Sequence, residues 1–200
     1  MFKLAIGAVA GAFAMFFTGF LIFAGPLALI GYSKVDDGSG AAVQAALAAN
    51  LPATGTYMIP NPSSQAGTIL YGKGPVATVH YNSSGFSLES LDGVVWGLGL
   101  DLFVAILIAA ALSQLDRRVP DFRSRAIIVV CFSLGATALI TLGDPIWLHQ
   151  DWSYALFSFF GDALSLIVGG LVIARWFLPK PEVVASPLDK PQEMAGSDKV

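Results

Sequence analysis

"GLGLDLFVAILIAAAL", residues 97–112, is apolar enough for the interior of a lipid bilayer, yet its fifth residue is Asp101. A helix needs about 20 predominantly apolar residues to cross the hydrocarbon, and extending this stretch both ways gives a span over 93–115. Three more segments meet that requirement, at 4–25, 126–143 and 154–178. The predicted fold class is mainly α and integral to the membrane: a four-transmembrane-helix bundle with a small α+β extracytoplasmic segment. Composition agrees, since the 200 residues are 55% hydrophobic and 12% charged, about half the charge of an ordinary soluble domain. A net charge of −3 offers no basic surface to nucleic acid and excludes that partner.

The chain divides into four regions: an anchor at 1–31, an extracytoplasmic segment at 32–91, three closing helices at 92–178 and a tail at 179–200. The first span reads as an uncleaved anchor. Its apolar run exceeds a signal-peptide h-region, and Pro26 spoils the cleavage site that Ala24 and Gly25 would offer. The tail, with four prolines and mixed charge, is predicted to be disordered. Cys131, the one cysteine, has no partner in the chain and reads as a small hydrophobe of the third span.

Basic flanks stay in the cytoplasm. Lys3 precedes the first span; Arg117, Arg118, Arg123 and Arg125 crowd the connection between the second and third; Arg175, Lys180, Lys190 and Lys199 follow the core of the fourth. These are nine of the eleven basic residues. Lys34 and Lys73 are spread along the segment after the first span, and "GDPIWLHQDW" before the fourth has none. Both termini are therefore expected in the cytoplasm of a cell with this inner membrane. Trp96, Trp147, Trp152 and Tyr154 fall at the outer boundary and Trp176 at the inner one, where amphipathic rings sit at headgroup level.

Within 32–91, "DDGSGAAVQAALAAN" opens with the capping residues Asp36, Asp37 and Ser39 and continues as an alanine-rich helix. Two β-prone runs follow, "TYMIP" at 56–60 and "PVATVHY" at 75–81, bounded by Gly, Pro, Asn and Ser. The expectation is a helix followed by a two-stranded hairpin. About 60 residues bury little core alone, so this unit is expected to lean on the membrane helices or a partner. Taken with "LPATGTYMIP", "GPVATVHYNSSG" and the three closing helices, the pattern resembles uncharacterised bacterial four-helix inner-membrane proteins that carry a short extracytoplasmic helix-and-hairpin segment. The resemblance implies the architecture and no activity. The two helical halves barely match in sequence, which argues against an internal repeat.

Stepping by four through Asp101 meets Gly93, Gly97, Ala105, Ala109 and Ser113, a small-residue stripe that turns the aspartate toward protein. The fourth span repeats the device with Ser158, Gly161, Asp162, Ser165 and Gly169. Ser133, Thr137 and Thr141 mark the third, and Gly7, Gly11 and Thr18 the first, beside Phe13, Phe16, Phe17, Phe20 and Phe23, whose bulk suits lipid or a partner. Counted from the basic flanks at about 1.5 Å per residue, Asp101, Asp162, Thr137 and Thr18 lie roughly 18–24 Å deep and are expected to form one polar layer. The two carboxylates would there act as helix glue, sharing a proton because two ionised acids close together in low dielectric are disfavoured.

These residues support a non-enzymatic accessory, assembly or binding component that works with another membrane protein or as a homo-oligomer. The alternative is a proton- or ion-coupled transporter component using Asp101 and Asp162, since intramembrane carboxylates mark such routes. A third reading rests on "FFGD" at 159–162, which partly resembles the GxGD motif of intramembrane aspartyl proteases, with Asp101 as partner acid; Phe159 stands where that motif has its first glycine. His80, His149, Asp144 and Asp151 lack metal-ligand spacing, so no metal or cofactor is expected. "NSS" at 82–84 reads as a turn.

Overall fold

The computed structural model describes residues 2–87, 90–115 and 118–178. The predicted tail at 179–200 lies outside the described residues, as do Arg117, Lys180, Lys190 and Lys199 of the charge argument. The chain is mainly helical. Helix α1 (Phe2–Gly19) runs on as a π turn over Phe20–Ala24, followed by the short α2 (Ala28–Gly31). Then come α3 (Asp37–Asn50), β1 (Gly55–Ile59), α4 (Gln65–Lys73), β2 (Ala77–Tyr81), α5 (Asp92–Leu115), α6 (Phe122–Thr141), α7 (Gly143–Leu148) and α8 (Trp152–Trp176). Four helical stretches are long and apolar enough to cross a membrane: Phe2–Ala24, Asp92–Leu115, Phe122–Leu148 and Trp152–Trp176. They coincide with the four predicted spans.

The helices form an open arc in the order α5, α1, α8, α6. Helix α1 is central and packs along both α5 and α8, while α6 lies on the far side of α8. Helices α5 and α6 follow each other in sequence yet scarcely approach. Glycine makes the α1–α8 seam. A Cβ on Gly7 would lie 2.6 Å from the Cβ of Phe177; one on Gly11 would lie 2.8 Å from Ile173 and 3.2 Å from the carbonyl of Gly169. In return a Cβ on Gly169 would lie 2.9 Å from the carbonyl of Gly11 and would overlap Met15. The two backbones thus touch directly, the arrangement that small residues permit where water provides no drive for helix association. Gly170, on the next face of α8, receives Val129 of α6.

Ala8, Ala12, Met15, Ala105, Ala109, Leu112, Val129 and Ile173 form the core where α1, α5, α6 and α8 converge. Most large side chains face outward: Phe17, Phe103, Phe132 and Leu139 are all more than half exposed, as lipid-facing residues are. The phenylalanines of α1 divide by face. Phe13, Phe17 and Phe20 point out, whereas Phe23 meets Phe157 edge-on, with ring centroids 5.4 Å apart. Cys131 is exposed on the outer face of α6.

The segment between α2 and α5 departs from the expected hairpin. Strands β1 and β2 do pair antiparallel, from Gly55 with Tyr81 to Ile59 with Ala77. Their connection, however, is a helix. Ser64 caps α4 by accepting from the Gly67 amide at 3.0 Å, and Thr68 Oγ1 donates to the carbonyls of Pro62 and Ser64. Gly67 has no room for a Cβ, which would overlap the carbonyl of Asn61. Gly74, at φ +67°, ends the helix. The run "QAGTILYGK" carries two glycines and no apolar period, so sequence patterning gives no helix there. Helix α3 starts at the expected place, with Asp36 accepting from the Ser39 amide at 2.9 Å and from its hydroxyl at 2.6 Å.

Candidate functional site

From Gly97 to Ala109 the stripe through Asp101 is the packed face of α5, whereas Gly93 at its start is exposed and meets nothing within 4 Å. Ala105 and Ala109 are fully buried against the core and Gly97 sits against Phe16 of α1, so Asp101, one turn from Gly97 and from Ala105, is half-buried on the side that faces protein. Asp162 is likewise half-buried, next to Gly161, which holds Phe23 and Ile22 of the α1 end. Asp101 thus stands on the face of α5 that meets α1, whereas Asp162 opens toward Ile140 and Thr141 at the end of α6. Among the described residues no hydrogen bond joins them, and neither carboxylate has a side-chain or backbone hydrogen-bond partner.

The hydroxyls of the expected polar layer turn back on their own helices. Thr18 Oγ1 donates to the Ala14 carbonyl at 2.8 Å, and Thr137, buried in α6, donates to the Ser133 carbonyl at 2.7 Å. Thr141 and Ser165 do the same, to Thr137 and Gly161. Such i−4 bonds satisfy the hydroxyl inside a helix without joining it to a neighbour. The geometry brings together a different set. Where the end of α6, the turn of α7 and the start of α8 converge, Asp162 shares a recess of about 220 Å³ with Asp144, Thr141, Gln150, Tyr154 and Ser158. Asp101 and Thr18 do not line it.

Local structure builds this recess. Asp151 caps α8 by accepting from the Tyr154 amide at 2.9 Å. His149 ends α7 in the left-handed region at φ 55°, turning the chain back so that Gln150 and Asp144 face the same opening. The His149 ring also lies 6.1 Å from that of Tyr71, which ties α4 to this end of the bundle. Two carboxylates, two aliphatic hydroxyls, a phenol and an amide can hold a proton or a small cationic group. They do not amount to a metal centre: among the described residues no three His, Cys, Asp or Glu side chains cluster closely enough.

The sequence places Asp144 among residues without metal-ligand spacing and gives no link to Asp162, with which it shares the recess. The usable signal is that α6 and α8 run in opposite directions, so the last turn of one and the early turns of the other share a depth. Arg125 is a second such case. Counted with the loop arginines, it is instead 3% exposed, and its Nε donates to the Val119 carbonyl at 2.7 Å, pinning the connection that enters α6. No protein-family model, curated protein or solved structure matches this chain.

Proposed function

We propose that the chain is a multi-pass protein of the cytoplasmic (inner) membrane, with both termini cytoplasmic and 32–91 outside, that serves as a non-enzymatic accessory, assembly or binding component of a larger membrane complex. The observation that carries this reading is the bareness of the outer segment. Helix α3 buries none of its residues. Val35, Val43, Ile69 and Leu70 are 65, 57, 58 and 52% exposed, and a groove of about 570 Å³ between α3 and β2 opens beside Val43 and Leu47. Apolar side chains gathered along a groove in water, as Val35, Val43 and Leu47 are here, mark a surface that another protein covers. A second membrane protein or a second copy of the chain, laying an apolar face on α3, fits it.

The test compares the wild-type chain with Val43→Glu and Leu47→Glu, each purified from native membranes in mild detergent. The expected result is a stoichiometric membrane partner, or a dimer, that both variants lose while their helix content is unchanged. A monomeric wild-type chain that by itself moves protons or cations across reconstituted vesicles would overturn it. That outcome belongs to the second reading, an ion-coupled transporter component, which the Asp162–Asp144 recess favours. Asp162→Asn, which cannot cycle a proton, would then abolish the flux.

A further inference from the structure

The gap between α5 and α6 is a groove of about 350 Å³ with an almost wholly apolar lining. Its floor is Leu112 and Val129, both buried in the core, and its walls are Ala111 and Leu115 from α5 and Ile128 and Phe132 from α6. A single helical turn, 10–12 Å across and 5.4 Å long, displaces roughly 400–600 Å³. The groove runs along two turns of α5 and is therefore too slender for a partner helix. It has the proportions of a hydrocarbon chain.

Basic groups stand at one end of it only. The Arg118 amide donates to the Leu115 carbonyl at 2.9 Å, which places Arg118 just beyond the groove wall, and Arg123 lies in the first turn of α6, five residues before Ile128. Both are exposed and neither forms an ion pair with a described residue. Among the described residues the neighbouring charged groups are otherwise engaged: Arg125 donates to Val119, Arg175 lies 5.2 Å from the Phe122 ring centroid, and Asp121 accepts from the Ser124 amide. We propose that this groove binds an anionic phospholipid, with one acyl chain between α5 and α6 and the phosphate held by Arg118 and Arg123. Arginine suits the role because its planar fork meets phosphate oxygens in pairs, and basic pockets between membrane helices take anionic headgroups. This site is separate from the outer surface on α3, and the two stand or fall independently.

Native mass spectrometry of the full chain in mild detergent, with equimolar phosphatidylglycerol and phosphatidylcholine, tests it. Phosphatidylglycerol is expected to be retained about tenfold or more over phosphatidylcholine, and Arg118→Gln and Arg123→Gln each to lower that preference about fivefold, the effect of one basic residue at a membrane surface. Ala111→Phe, which fills the groove, is expected to reduce retention of both lipids. Equal retention of the two lipids by the wild-type chain would overturn the proposal. So would a preference untouched by the double arginine variant, or a dimer that fills the groove and excludes lipid. The arginine variants lie on the surface, so the test survives if Ala111→Phe fails to fold.

Discussion

Asp101 owes its position to its neighbours at four-residue spacing, and its energetics to what it does not touch. With no hydrogen-bond partner among the described residues, the carboxyl adds no interhelical bond to the bundle. An ionisable residue near the centre of a span costs about 2.5–3.5 kcal/mol on insertion scales. Asp101→Asn and Asp101→Leu are therefore both expected to leave detergent stability unchanged or raise it, by up to about 2 kcal/mol for leucine. A loss of 1 kcal/mol or more in a reversible unfolding assay would show that the aspartate does bind a neighbouring helix. The same measurement separates structure from function, because a stable Asn variant that fails to complement a deletion points to proton cycling.

At the level of the element, the α1–α8 seam and the helix caps each depend on single residues. Gly169→Ala drives a methyl into Met15 and the Gly11 carbonyl, an overpacking expected to cost about 1–3 kcal/mol. Gly135→Ala on α6 meets nothing within 4 Å and is expected to be neutral or slightly stabilising. Paired unfolding measurements check both, and equal effects would place the helix seam elsewhere. The caps respond to pH. The Ser39 hydroxyl and then its amide hold the Asp36 carboxyl below the usual carboxylate range, and the Ser124 amide does so for Asp121. A carboxyl depressed in the folded state stabilises above its unfolded pKa, about 3.9, and loses that contribution as pH falls through the lower folded value. Helix content should thus hold from neutral pH to about 5 and decline below about 4. In an acid titration followed by circular dichroism, the double variant Asp36→Asn, Asp121→Asn should show a smaller decline.

For the whole molecule, topology is the sharpest prediction: a reporter active only outside the cytoplasm should work when fused after Ser64 or Gln150 and be silent after Arg118 or Val200. An active Arg118 fusion would overturn the proposed orientation. The four spans, the cap of α3 and the two strands were legible in the sequence, because apolar run length, capping residues and β-branched clusters act locally and need no neighbour. The four-residue spacing of Gly7 and Gly11 marks a close-packing face, though not its partner. Helix α4 was hidden because its stability comes from Ser64, Thr68 and a backbone turn that only glycine fits, rather than from an apolar period. Equal depth in the sequence put Asp101, Asp162, Thr137 and Thr18 in one layer, but depth says nothing of azimuth. Asp101 stands one turn from Gly97, which meets Phe16 of α1, the threonines satisfy themselves within their own helices, and Asp162 lines a recess with Asp144 between α6, α7 and α8. Which segments are apolar enough to span a membrane is written along the chain, since each span's transfer free energy is a sum over its own residues. Which helix faces meet and which gaps stay open is settled on packing, because contact between backbones depends on the order of helices around the bundle, and no single segment encodes that order.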